Sequence, residues 1–283
     1  ALEAGFDRAG VASLEGQPEH GEAFQRWLAR GDQAGMHYLE RRVEARMNPV
    51  LLLPGAQSAV CVALQYWPLA EEPEPEGDLW PRVARYARGR DYHDLMLDRL
   101  QSFAERVRAT FPDCETRPYV DTGPILERDL AVRAGLGAIG KNTMLLHPEA
   151  GSWFLLGELL LTLDLNPDIP IADLCGSCTR CLEACPTGAL REPYRLDSNL
   201  CISYWTIEHR GDFPAGVPEL LGDWVFGCDV CQEVCPFNAR EGDTAAPELR
   251  GTLAEQRVPE LIPLLALGAA QFRRFVKRTA LRR

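Results

Sequence analysis

Cys175-Gly-Ser-Cys178-Thr-Arg-Cys181-Leu-Glu-Ala-Cys185-Pro186 is the stretch from which the chain is best read. Its spacing is the run that holds [4Fe–4S] clusters in two-cluster ferredoxins, where the fourth cysteine ligates the other cluster. A second run, Cys228-x2-Cys231-x3-Cys235-Pro236, lacks one cysteine of that spacing, and Cys201 upstream supplies it. The crossed pattern then predicts Cys175, Cys178, Cys181 and Cys235 on one cluster, with Cys185, Cys201, Cys228 and Cys231 on the other. Disulfide staples need an oxidising compartment, which nothing in the sequence marks. Zinc sites come as two separated pairs rather than a triple followed by Cys-Pro. The two remaining cysteines, Cys61 and Cys114, read as a small core residue and a bystander.

The 283 residues, 46% hydrophobic and 25% charged, match one or two ordinary globular domains rather than a disordered or fibrous chain. No apolar run reaches the roughly 18 residues of a membrane span. No basic start leads into an apolar core, so cytoplasmic localisation is expected. Residue 1 is Ala within a helix-like stretch, and the natural start is expected upstream. The net charge of −11 argues against a generally basic nucleic-acid surface, but Arg273 to Arg283 carries six cations and no acid.

Outward from the cysteines, the pattern predicts an α+β protein. Residues 1–46 read as helices, with Phe24, Trp27 and Leu28 on one face and Gly31 as a stop. Ser58 to Trp67 reads as a strand, Glu71 to Asp78 as an acidic surface loop, and Arg82 to Arg90 as a strand. Asp91 is the expected N-cap of a helix through Arg108. A strand over 115–120 precedes a helix from about Pro124 to Ala134, and Asn142 to Leu146 should form a hairpin with Trp153 to Leu163. The expected division is a mixed α/β domain over 1–170, a ferredoxin-like domain over 171–242, and a helical segment over 243–283.

Two motifs mislead. Asp121-Thr-Gly123 matches an aspartic protease tripeptide, but those enzymes need two such aspartates. Gly135-Leu-Gly-Ala-Ile-Gly140 spells the dinucleotide fingerprint with its context inverted, a helix before it and a strand after. Its glycines predict instead a close backbone approach to a bulky ligand. Read alone, Asp121 is either a cap for the helix near Pro124 or an acid at a strand end.

Beyond the cysteines, several segments share one likeness: Tyr86-Ala-Arg-Gly-Arg-Asp-Tyr-His93, Val120-Asp-Thr-Gly-Pro124, Glu127-Arg128, Ala134 to Asn142 and Gly151-Ser-Trp-Phe154. Cys201-Ile-Ser-Tyr204, Thr206-Ile-Glu208 and Gly227-Cys-Asp-Val-Cys-Gln232 complete it. Together they resemble epoxyqueuosine reductases, iron–sulfur and cobalamin enzymes of tRNA modification related to the reductive dehalogenases.

The resemblance implies a fold and a reaction. An N-terminal mixed α/β domain would hold base-off cobalamin beside one of two [4Fe–4S] clusters, with a ferredoxin-like domain and short C-terminal helices following. The epoxide of epoxyqueuosine in the tRNA anticodon would become the alkene of queuosine. This needs two electrons and two protons, the electrons coming from an external low-potential donor. The resemblance places proton donation on Asp121. It places Gly140, Lys141, Asn142, Tyr92 and Arg46 at the corrin, with His93 at its border, and Ile202, Ser203 and Asp229 where cluster and cobalamin meet. His209, Arg210, Arg274 and Lys277 are expected to face tRNA, and six C-terminal cations could neutralise several phosphates. A monomer with no membrane contact is expected. Gly123 departs from the family's usual alanine or serine. Many members continue into helical repeats that help hold tRNA; this chain stops at Arg283, as a short or trimmed member. A dehalogenase-like enzyme would use the same cofactors on a small molecule. A ferredoxin-type electron carrier would leave the first 170 residues without a task.

Overall fold

The computed structural model describes residues 1–66, 81–239, 246–249 and 261–282. The acidic stretch Glu71 to Asp78 and Arg283 lie outside the described residues. The chain runs β1 (Arg8–Ser13), α1 (Gly21–Ala29), α2 (Val43–Met47), β2 (Ser58–Gln65), β3 (Arg82–Val83), α3 (Tyr92–Thr110), β4 (Thr116–Tyr119) and α4 (Glu127–Arg133). It continues with β5 (Ala138–Ile139), β6 (Leu145–Leu146), β7 (Phe154–Leu161), α5 (Arg180–Ala184), β8 (Leu190–Glu192) and β9 (Arg195–Leu196). It ends with α6 (Val217–Leu221), β10 (Trp224–Phe226), α7 (Val230–Glu233), α8 (Leu261–Leu265) and α9 (Ala269–Val276).

The central sheet is antiparallel, in the order β1-β2-β7-β4. Both of its faces are covered, so β2 and β7 read as near-continuous apolar runs rather than alternating ones. Every residue of β2 is buried. On one face α4 contributes Leu130, Ala131 and Val132 to a core with Cys61, Leu156 and Leu160. On the other, α3 packs Leu95, Met96 and Leu100 against Val62, Leu64 and Leu159. Asp91 caps α3 as expected, its side chain accepting from the His93 N–H.

Three local expectations are corrected. The first 46 residues are not all helical: Arg8–Ser13 forms edge strand β1 against β2. Its small residues hide the strand signal, and a Cβ on Gly10 would fall 2.0 Å from the Ala134 carbonyl oxygen. Of Arg82 to Arg90 only Arg82–Val83 is extended, and Arg85–Ala87 forms a 3-10 turn. The stretch around Leu145 pairs with Ala138–Ile139, not with β7. The long apolar β7 goes to the sheet centre, between β2 and β4, where both of its edges find partners.

The cysteine-rich part is joined to this frame at several points. β3 and β10 pair in parallel. Trp27 Nε1 donates to the Leu196 carbonyl at 2.7 Å, and Arg195 forms a salt bridge with buried Asp32 at 2.9 Å. Asn238 Nδ2 donates to Ser152 Oγ at 2.9 Å and Gln232 Nε2 to the same oxygen at 3.0 Å, all buried.

Candidate active site

The eight clustered thiols fall into two sets by their electrostatic neighbours. Cys181 is repelled by Cys175 and Cys235, and Cys235 by Cys175 and Cys178. Cys228 is repelled by Cys201 and Cys185, and Cys231 by Cys228, Cys201 and Cys185. These are the crossed sets that the spacing predicts. Burial first, then this repulsion, pushes the Cys228 thiol up to about 12. Iron is what holds such thiols as thiolates.

Lys141 belongs with the first set. Its N–H donates to Cys175 Sγ at 3.3 Å, and its Nζ donates to the carbonyls of Gly176 and Cys178 at 2.6 and 3.0 Å. Gly140 serves the β5–β6 hairpin, where a Cβ would meet Leu146 Cδ1 at 2.6 Å. Asn142 reaches the second set, donating to the Cys231 carbonyl at 3.2 Å.

A cavity of about 390 Å³ adjoins that second set and is lined by Cys185, Cys201, Cys228 and Cys231. Tyr92, Asn142, Ile202, Ser203 and Asp229 line it too, as does Asp121. Its wall is largely apolar, with residues such as Ala84, Leu145, Phe154 and Leu156. Cys235 of the other set lines a separate groove, together with Arg180, Glu183 and Pro236. Arg46 is elsewhere: it is buried, and its guanidinium donates to the Gly123 carbonyl at 3.3 Å. It therefore braces the turn that carries Asp121.

Asp121 follows β4 with φ +41°, an uncommon backbone state for a residue with a Cβ. It does not cap α4, whose N-cap is Leu126 without a side-chain bond. Half of its side chain is exposed, and that exposure opens into the cavity it lines. Its Oδ2 lies 3.0 Å from His93 Nε2. His93 Nδ1 lies in turn 2.7 Å from Asp91 Oδ1, and the Asp91 side chain is only 1% exposed. Burial alone would raise the Asp121 carboxyl. The hydrogen bond and charge of His93, with a hydrogen bond from Tyr92, reverse this and hold it below its ordinary value.

Two further carboxyls, Glu127 and Glu158, behave in the opposite way. Glu127 opens α4 and lines the cavity; burial, then the charge of Asp121, pushes it up to about 7. Glu158, 1% exposed in β7, is driven well above its ordinary value by burial and has no hydrogen-bond partner at Oε1. The matched segment Glu127-Arg128 contained the first of these, but only packing reveals an acid that keeps its proton.

The residues expected to face RNA divide in two. The ring of His209 lies 4.8 Å from Trp205 and 5.7 Å from Phe213, in a partly exposed aromatic group. Arg210 is exposed beside it, its guanidinium donating to the Ile207 and His209 carbonyls at 2.5 and 3.0 Å. Arg274 and Lys277 are exposed at the end of α9. Arg282 departs from the expectation of six cations turned to phosphate. Its Nε lies 2.8 Å from Asp91 Oδ2 and its Nη2 lies 2.7 Å from Asp94 Oδ2.

Comparison with known proteins agrees with this site. Residues 174–238 match the 4Fe-4S double cluster binding domain, and residues 46–122 match the family described as epoxyqueuosine reductase QueG, DUF1730. The chain is 40% identical over 292 residues to an epoxyqueuosine reductase of Xanthomonas campestris, covering 100% of this chain and 80% of the relative. It resembles a crystal structure of epoxyqueuosine reductase with an epoxyqueuosine-modified tRNA-Tyr stem loop, at TM-score 0.90 and 34% identity. That match covers 99% of this chain and 74% of the other. A Bacillus subtilis epoxyqueuosine reductase, solved with its catalytic aspartate loop swung out of the active site, also matches at TM-score 0.90. It is 32% identical, over 99% of this chain and 74% of that one. Taken with the paired thiol sets and the acid beside them, these matches mean that the chain belongs to the epoxyqueuosine reductase family.

Proposed function

We propose that this chain reduces the epoxide of epoxyqueuosine in a tRNA anticodon to the alkene of queuosine. One observation carries the reading: the thiols of one set and Asp121 line the same cavity. The set of Cys175, Cys178, Cys181 and Cys235 holds the outer [4Fe–4S] cluster, which takes electrons from an external low-potential donor. The set of Cys185, Cys201, Cys228 and Cys231 holds the inner cluster.

The cavity lies between the inner thiols and the acid, its apolar wall would suit the face of a corrin and its polar residues the amide rim, and cobalamin is the group we assign. When bound, it supplies a strongly reducing metal centre able to act on a strained epoxide. Tyr92, Asn142, Ile202, Ser203 and Asp229 would border it. Two electrons and two protons enter, two C–O bonds break, one C=C bond forms and water leaves.

The protons are the task of the chain itself. His93 lies between the carboxylates of Asp91 and Asp121, one ring nitrogen facing each. A proton passing from His93 through Asp121 reaches the leaving oxygen. Glu127, pushed up to about 7 and so able to give or take a proton near neutral pH, holds the second. His209 with Trp205 and Phe213 offers rings for a splayed anticodon base, and Arg210, Arg274 and Lys277 offer charge to its phosphates.

The proposed division is 1–170 for the cobalamin site, 171–242 for the clusters and 243–283 for RNA contact, in a cytoplasmic monomer. Among the described residues no helix is long and apolar enough to cross a membrane. The test is nucleoside mass spectrometry of epoxyqueuosine-containing tRNA after anaerobic incubation with the reconstituted chain and a strong reductant. Cobalamin-dependent loss of one oxygen mass is expected. No change with both clusters and cobalamin bound would refute the tRNA assignment and direct the search to small epoxides or halides.

A further inference from the structure

The sequence offers Arg282 as one more C-terminal cation, but the fold turns it toward Asp91 and Asp94. Val276, Thr279 and Ala280 are buried, and Ala280 packs with Val83 and Ala87 beside the turn that leads to Asp91. The Asp91 N–H donates to the Arg278 carbonyl at 2.7 Å, which fixes the C-terminal segment to the first turn of α3. From there Arg282 places Nε 2.8 Å from Asp91 Oδ2 and Nη2 2.7 Å from Asp94 Oδ2. The other Asp91 oxygen, Oδ1, is the one 2.7 Å from His93 Nδ1. A continuous line therefore runs Arg282–Asp91–His93–Asp121 from the C-terminal segment into the cavity.

Asp91 is 1% exposed, so water does little to screen its charge. Arg282 meets one of its oxygens and His93 the other. The guanidinium therefore offsets part of the negative charge that Asp91 turns on the His93 ring.

We propose that Arg282 is a positioning residue of the relay: by taking up half of the Asp91 carboxylate, it loosens the proton on His93 enough for Asp121 to pass it on. This rests on the reading of Asp121 as proton donor in epoxide reduction. The other charged or titratable groups around the relay are Asp94 and Tyr92 on α3, Tyr86 on the preceding turn, and Glu127 and Arg128 on α4. The charge of Asp121 also reaches Tyr38 and Glu208.

The experiment uses the full chain with both clusters oxidised and follows the His93 ring by nitrogen NMR as pH is varied, assigning its signals with His93→Gln. In Arg282→Gln the ring should lose its second proton at a pH about one unit higher than in the parent. Turnover of epoxyqueuosine tRNA at pH 7, with cobalamin bound, should fall about tenfold. Arg282→Lys should restore both, because it returns the charge. A ring titration that does not move in Arg282→Gln would overturn the proposal. So would equal changes in the Gln and Lys variants, which would mark Arg282 as a mere tether. If the parent fails to turn over while the ring still responds, the functional reading falls and the electrostatic link stands.

Discussion

His93 Nε2 lies 3.0 Å from Asp121 Oδ2, and this contact sets the protonation of the site. Burial alone would raise the Asp121 carboxyl, and His93 holds it below its ordinary value instead. If Asp121 is the acid of the proposed reaction, its proton is exchanged with His93. Replacing Asp121 by Asn keeps the shape and one acceptor but ends proton transfer. Turnover should fall by about 10²–10⁴, with iron content and cobalamin binding retained. Turnover equal to the parent would remove Asp121 from the acid role.

Glu127 gives stability a sign that pH can read. Its carboxyl titrates at about 7 in the folded chain, above its ordinary 4.5, because of burial and then the charge of Asp121. The unfolded chain therefore ionises first. The stability tied to the neutral carboxyl is complete below pH 4.5 and is lost as pH rises through 7. The full loss is on the order of 3 kcal/mol, and about 2 after allowing for solvent in the cavity. In the cluster-loaded chain, Glu127→Gln should gain stability over the parent between those pH values and stay level above them, as read by thermal unfolding.

The crossed thiol sets predict a result that sequence neighbours would not. Cys185 stands in the first run but belongs with Cys201, Cys228 and Cys231. Cys185→Ser should lose the inner cluster and nearly all turnover. Cys235→Ser, in the second run, should lose the outer one. Each should retain about half of the iron. Electron paramagnetic resonance with one-electron reduction separates the two, since only the inner cluster should respond to cobalamin in the cavity.

Arg274 and Lys277 are exposed and should act on RNA through charge alone. Changing both to Gln should weaken tRNA binding and reduce the salt slope of the affinity by about 1.4, at roughly 0.7 per cation for single strands. Binding measured across a salt series checks this. An unchanged slope would take α9 out of the RNA interface.

A Cβ at Gly123 would lie 2.4 Å from the Tyr119 ring, so this chain takes the family's usual alanine only if the ring or the turn moves. Gly123→Ala should displace the Asp121 turn and lower turnover at least tenfold, since small displacements of a reacting group cost that much or more. Titration of cobalamin into the variant, followed by absorbance, should show binding preserved and so separate a moved acid from a lost cofactor.

The sequence by itself determined much of this protein. The cysteine spacing predicted two four-thiol sets and their crossing, and the charges that the folded thiols exert on one another fall into the same groups. The long apolar runs of β2 and β7 and the Asp91 cap of α3 were equally legible, since periodicity and capping act within a few residues. The tertiary structure alone decided what depends on residues distant in sequence. β1 is a strand because small residues let it lie against β2 and the Ala134 carbonyl, a contact no local pattern encodes. The contacts of Lys141 with the outer thiol segment and of Arg46 with the Asp121 turn are likewise visible only in the folded chain. Asp121 is an ionised partner of His93 and Glu127 a neutral acid, though both are plain carboxylates in the sequence. Burial and neighbouring charge assign their protons, and only the folded chain supplies either.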